Sequence, residues 1–127
     1  MPTIVDSNIW IEFFNKGNFF DSVSELLKNN EVYINKIILA ELIPSSMAKK
    51  EEEFIECLSG IEIFELDIDW DEIIDIQYQC IKNGINKLGL LDIAIVQNAQ
   101  QNGADLFTIN RHMILLCNLI GVKCISS

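Results

Sequence analysis

Short apolar runs alternate along this chain with longer stretches whose apolar residues recur at helical spacing, and that alternation leaves few architectures open. A first buried strand is expected at residues 3–5, ending at Asp6, then a helix at 7–14 that Gly17 and Asn18 break. A second helix is predicted at 19–28, stopped by Asn29 and Asn30, and a brief β segment at 31–34. Residues 37–43 read as an apolar helix closed by Pro44. Residues 49–58 carry Phe54, Ile55 and Leu58 at helical spacing; Gly60 ends that helix and 61–66 alternate like a strand. An amphipathic helix at 69–82 puts Ile73, Ile76 and Cys80 on one side, and two glycines make 83–89 a loop. A helix at 92–101 stops at Asn102-Gly103, followed by a strand at 106–108, a helix at 111–119 and a last strand at 122–125. Strands alternating with helices imply an α/β fold, a three-layer sandwich with a central parallel sheet and helices on both faces. Residues 1–127 hold no internal repeat, low-complexity tract or linker, so they read as a single domain.

Composition narrows the function classes. Half the residues are hydrophobic, as a packed core requires, while 19 acids against 9 basic residues give a net charge of −10. Such a surface repels polyanions at long range, which excludes loose, charge-driven binding to bulk nucleic acid. It leaves room for a nuclease whose acids gather around metal ions, with RNA contacts made by local basic residues and cations. The cysteines, Cys57, Cys80, Cys117 and Cys124, have no CxxC spacing, and the lone His112 cannot complete a usual zinc set. They read as buried, reduced thiols of a cytosolic protein. The N-terminal residues lack a basic region and a long apolar region, so no signal peptide is expected. No apolar run approaches the ~20 residues that span a bilayer, which predicts no membrane partner and cytoplasmic residence.

Several acids stand in conspicuously apolar sequence. In open parallel sheets, ligands bind beyond the carboxyl ends of the strands. Asp6 directly follows Ile4-Val5, and Asn110 lies just past the strand at 106–108, so both would open onto one edge of the sheet. Glu41 sits within Ile37-Ile38-Leu39-Ala40-Glu41-Leu42-Ile43, where a carboxylate is costly unless a cation or donor satisfies it. It reads equally as a surface residue on the one exposed stripe of its helix. Asp92 opens the apolar helix that begins Ile93-Ala94-Ile95-Val96. Asp6, Asp92 and Asn110 each also read as helix N-caps, a role that does not preclude metal binding. Three carboxylates on one rim suit a hard cation such as Mg²⁺, which takes oxygen ligands, waters and substrate phosphate.

Four blocks carry a resemblance: Ile4-Val5-Asp6-Ser7-Asn8, Leu39-Ala40-Glu41-Leu42, Leu90-Leu91-Asp92-Ile93-Ala94-Ile95, and 103–112 with Thr108, Asn110, Arg111 and His112. In this order and at these separations they resemble the PIN-domain family, in particular its small VapC-type toxins, over almost the whole chain. The resemblance implies a Mg²⁺-dependent endoribonuclease, with Mn²⁺ a possible substitute, acting as the toxin of a type II toxin–antitoxin pair. It further implies an RNA substrate, a protein antitoxin and a homodimer. Asp6, Glu41 and Asp92 are then the catalytic residues, with Asp6 and Asp92 as direct ligands and Glu41 ligating or orienting the nucleophilic water. The family's fourth position, often Asp, falls on Asn110, a neutral oxygen that would bind a metal or its water and favours one resident ion. Asp105 is no substitute, since it enters its strand from the far end. A divalent ion makes hydroxide available near neutral pH for in-line attack on phosphorus; the resemblance implies 5′-phosphate and 3′-hydroxyl products. Arg111, the only arginine, is placed to hold a phosphate, and reads equally as an ordinary exposed side chain. His112 reads as a packed or capping residue.

Residues 66–72 look like a calcium loop, but glycine is missing at its sixth position (Glu72) and glutamate at its twelfth (Tyr78). Asp69 and Glu72 are better read as a capping box, and Glu51, Glu52 and Glu53 as a solvated helix start. Trp10, Phe13, Phe14, Phe19 and Phe20 crowd the first two helices, more rings than one core needs, which suggests a surface for a second subunit or an antitoxin segment. The rivals are a non-cleaving PIN-like module that binds RNA or protein, its site decayed at Asn110, and an RNA-maturation nuclease. A phosphoacceptor receiver domain fits poorly, because Ser7 follows Asp6 and no Asp ends a third strand.

Overall fold

The computed structural model describes residues 1–125. Five strands, β1 (Thr3–Val5), β2 (Val32–Ile34), β3 (Glu62–Ile63), β4 (Asp105–Phe107) and β5 (Cys124–Ile125), form one sheet in the order β3-β2-β1-β4-β5. Every adjacent pair is parallel, with Val5 opposite Phe107 at the centre. Seven helices connect them: α1 (Ser7–Lys16), α2 (Phe20–Lys28), α3 (Lys36–Ala48), α4 (Glu52–Ser59), α5 (Trp70–Lys82), α6 (Leu90–Gln101) and α7 (Arg111–Ile120). The chain steps outward from β1 to β3, then crosses back to β4 on the other side of β1. With right-handed crossovers, that reversal puts α1 to α4 on one face of the sheet and α5 to α7 on the other. Ile4, Val5, Leu106 and Phe107 are fully buried, as central strands covered on both faces must be. Among the described residues, no helix is long and apolar enough to cross a membrane.

The reversal between β1 and β4 opens a crevice at their carboxyl ends, where such sheets bind ligands. Asp6 and Thr108 are the first residues beyond these two strands, and the Asp6 N–H donates to the Phe107 carbonyl at 2.9 Å.

The helix expected to stop at Pro44 instead runs on to Ala48. Proline removes the N–H that would bond the Ala40 carbonyl. Ala40 lies on the exposed side of the helix, while Leu42 and Ser46 stay buried on the inner side across the break. The following helix accordingly starts later than expected, at Glu52. Among the described residues the two outer strands, β3 and β5, are two residues each, and both start later than the alternation suggested. Cys80 and Cys117 are buried as expected, but Cys57 is exposed and Cys124 half-buried; none is bridged. Of the crowded aromatics, only Trp10 is fully buried. Phe14 stacks on Phe54 with centroids 4.3 Å apart and Phe20 on Phe13 at 5.9 Å, so these rings already have partners within the chain.

Candidate functional site

Asp6 ends β1 and caps α1, with its Oδ1 accepting the Ser7 N–H at 2.8 Å. Oδ2 accepts the Thr108 hydroxyl at 2.9 Å and the Asn8 side-chain amide at 3.3 Å. Thr108 is itself saturated: its oxygen also accepts the Asn8 amide at 3.0 Å and the Asn110 N–H at 3.1 Å. The Asn8 oxygen in turn accepts the Ile109 N–H at 3.3 Å. A carboxylate has about four lone-pair sites, so three of these bonds leave about one free for a further ligand. Only 3% of Asp6 is exposed, and burial pushes its carboxyl above its ordinary value of 3.8. The Thr108 and Ser7 bonds work against that rise, the Asp92 charge adds to it, and the Asn8 amide offsets it further.

Glu41 lies on the exposed side of α3 with Ala40, not among the buried side chains its neighbours in sequence suggested. Ile37, Ile38 and Leu42 take the inward side, leaving the glutamate on the outer one. Partial burial of its carboxyl is the largest cause raising it above 4.5, followed by the charges of Asp6 and then Asp92; the nearby Ser7 side chain opposes the rise.

Asp92 was expected to open its helix, but α6 begins at Leu90 with Gly89 as the cap. From within the first turn, Asp92 reaches back to accept the Gly89 N–H at 3.0 Å, where the helix's positive end favours an acid.

Asp6, Glu41 and Asp92 are therefore brought together from the end of β1, from α3 and from the start of α6, close enough for each charge to act on another. Neither ion pair among the described residues, Met1–Glu31 or Lys16–Glu12, involves them. Also among the described residues, no three His, Cys, Asp or Glu side chains stand at direct metal-ligand spacing. By charge and by oxygen chemistry, though not by that spacing, the three carboxylates suit a hard divalent cation.

Asn110 caps α7, its Oδ1 accepting the His112 N–H at 3.0 Å and the Met113 N–H at 3.2 Å. Both lone pairs of that oxygen are thus engaged by backbone. Arg111 is exposed at the start of the same helix, and no hydrogen bond or ion pair among the described residues joins it to the three acids.

A family profile described as the PIN domain matches residues 3–117. The chain belongs to the PIN domain family. Comparison with curated proteins finds no match. Among solved structures, the fold is similar to a chain of VapBC2 from Rickettsia felis bound to a DNA fragment from their promoter. That likeness has a TM-score of 0.77 and 20% identity, and covers 98% of this chain and 97% of that one. DNA-bound VapBC from Salmonella typhimurium gives 0.74 and 19%, covering 98% and 96%. FitAcB from Neisseria gonorrhoeae gives 0.69 and 18%, covering 98% and 96%.

Within this PIN domain the polar residues that hold Asp6, namely Asn8 and Thr108, carried no expectation of a role. Their signal was positional: a threonine closing a fully apolar strand, and an asparagine two residues after an acid. Neither means much until β1 and β4 are known to be neighbours.

Proposed function

We propose that residues 1–127 act as one domain, a metal-dependent endoribonuclease that hydrolyses RNA phosphodiester bonds. It serves as the toxin of a type II toxin–antitoxin pair in the cytoplasm, as a homodimer held in check by a protein antitoxin. The observation that carries this reading is the set of three mutually repelling carboxylates at the sheet's switch point, none of which enters an ion pair among the described residues. PIN domain nucleases generally use divalent metal ions, and solved neighbours described as VapBC support the toxin assignment.

Asp6 and Asp92 would hold the ion, Mg²⁺ with Mn²⁺ as substitute, and Asn110 would accept one of its waters only by giving up a cap bond. When bound, the ion supplies charge for the phosphoryl oxygens and lowers the pKa of water. The chain's own residues do the rest. Thr108, Asn8 and the Ser7 N–H fix the Asp6 carboxylate in one orientation. Glu41, whose raised proton affinity suits a base, takes a proton from the attacking water at its carboxylate. The new O–P bond forms as the bond to the 3′ oxygen breaks, and that oxygen takes a proton from solvent, giving 5′-phosphate and 3′-hydroxyl ends. Arg111 would steady a substrate phosphate from the rim.

Cleavage of single-stranded RNA by the purified chain should require Mg²⁺ or Mn²⁺ and stop with chelator. It should fall at least about 100-fold in Asp6→Asn, Glu41→Gln and Asp92→Asn. Activity that survives chelation, or that persists in Asp6→Asn, would sink the proposal. A binding module without cleavage is the second reading, favoured by the engagement of the Asn110 oxygen in its cap. Metal-dependent RNA binding with no products under any divalent ion would establish it instead.

A further inference from the structure

A groove of about 350 Å³ adjoins the carboxylate crevice, and Glu41 belongs to both. Lys36, Ile37, Ala40 and Glu41 of α3 line one side of it; Leu66, beyond β3, and Leu91, in the first turn of α6, line the other. Spacings of three and four residues put the α3 side chains on one face. Lys36 and Glu41 close that wall at its two ends, about 7.5 Å apart in helix rise, and everything between them is apolar. Leu91 directly precedes Asp92 and stays 59% exposed. A large apolar side chain left in water at the lip of a crevice marks a binding surface.

The chemistry of the walls identifies the occupant. In a chain of net charge −10 a cation beside the crevice is an exception, and Lys36 enters no ion pair among the described residues. As the first residue of α3 it meets the helix's positive end, so it does nothing for the helix there. An exposed ammonium so placed suits a phosphate. The apolar stretch beside it suits a flat, weakly hydrated face, which every nucleobase has. A nucleotide combines the two, its base over Ile37, Ala40, Leu66 and Leu91 and a phosphate at Lys36, with the next phosphate falling at Glu41. Those four side chains carry no hydrogen-bonding group, so the base is held by its face and its edge goes unread. A purely apolar protein contact would cover Lys36 unpaired, at a cost that a phosphate removes.

We propose that this groove is a nucleotide subsite. It takes one base of single-stranded RNA beside the scissile phosphate, and Lys36 holds the phosphate on the far side of that nucleotide. The subsite rests on the ribonuclease reading above and deepens it, but base binding is measured without cleavage, so either can fail alone.

The test is methyl NMR of the full chain, with chelator present so that binding owes nothing to a metal. Adenosine and uridine 5′-monophosphate, each to about 20 mM, should shift the methyls of Ile37, Ala40, Leu66 and Leu91, and ribose 5-phosphate should not. Lys36→Gln and Leu91→Ser alter exposed side chains and leave the core intact; each should weaken nucleotide binding about 5–10-fold. In cleavage of single-stranded RNA with Mg²⁺, both variants should raise KM by about the same factor, the loss falling on KM rather than kcat. Lys36→Gln should also flatten the slope of log KM against log salt by about 0.7, the share of one phosphate contact. Nucleotides that leave these methyls unmoved, or ribose 5-phosphate that moves them equally, would overturn the subsite. So would RNA cleavage whose KM is indifferent to both variants, with the ribonuclease reading left standing. Methyl shifts that follow protein concentration alone would overturn it too and give the groove to a protein contact. Nucleotide binding here by a chain that cleaves no RNA would uphold the subsite and sink the ribonuclease reading.

Discussion

Replacing Thr108 by valine keeps the shape of a fully buried side chain and removes one oxygen that makes three hydrogen bonds. The Asp6 carboxylate loses its 2.9 Å donor, and the Asn110 N–H loses its 3.1 Å acceptor. An orphaned polar group in such a setting costs roughly 1–3 kcal/mol, and about 2 kcal/mol serves as the central figure. At about 3–5 °C per kcal/mol for a domain of this size, Tm should fall by about 6–10 °C at neutral pH. The loss should also depend on pH. Asp6 titrates above its ordinary 3.8, so the folded chain holds that proton more tightly than the unfolded one. Ionised Asp6 therefore lowers stability, by an amount that grows as pH rises from 3.8 and is complete above its folded value. Thr108 donation opposes this rise, so valine pushes Asp6 higher and deepens the deficit. Thermal melts at about pH 4 and about pH 7.5 should show a smaller difference from wild type at the acid end, and Thr108→Ser should recover most of it. A Thr108→Val melt within about 1 °C of wild type at neutral pH would refute the reasoning, as would an equal loss at both pH values.

Three further substitutions probe the scaffold. Asn110→Ala strips a cap that takes two backbone N–H groups and should cost about 1 kcal/mol by urea unfolding, whereas Asn110→Asp should keep the cap. Asn98→Leu removes the acceptor for the fully buried Asn35 amide at 3.1 Å and the donor to the Glu65 carbonyl at 3.1 Å. A loss of about 2–3 kcal/mol is expected in the same assay, and a neutral outcome would mean water replaces both. Pro44→Ala returns an N–H to the Ala40 carbonyl in mid-helix and should raise Tm by a few degrees, about 1 kcal/mol; a fall would show that the break itself is needed.

The order of elements was legible because periodicity is local: a strand before Asp6 and helices after it follow from neighbouring residues alone. Sheet order was not, because pairing β1 with β4 joins Ile4 to Leu106, about a hundred positions apart, by a register that no local pattern encodes. The acids stood out because Asp6, Glu41 and Asp92 interrupt apolar sequence. Their settings were harder to read. Glu41 takes the outer side of α3, since three isoleucine or leucine neighbours claim the inner one. Asp92 sits within the first turn of its helix rather than at the cap, because Gly89 caps through its backbone. The capping box at Asp69 forms only in part. Asp69 accepts the Glu72 N–H at 3.1 Å, but Gln97 from α6 takes both the Asp69 N–H and the Glu72 carboxylate. A partner from a distant helix outcompeted the local one, and the same cause hid Asn8 and Thr108.

Anomalous scattering from crystals grown with Mn²⁺ tests the account at its centre. One strong peak should lie among the carboxylate oxygens of Asp6, Glu41 and Asp92, and it should vanish in Asp92→Asn. Manganese bound elsewhere on a chain that still cleaves RNA, with that crevice empty, would contradict it.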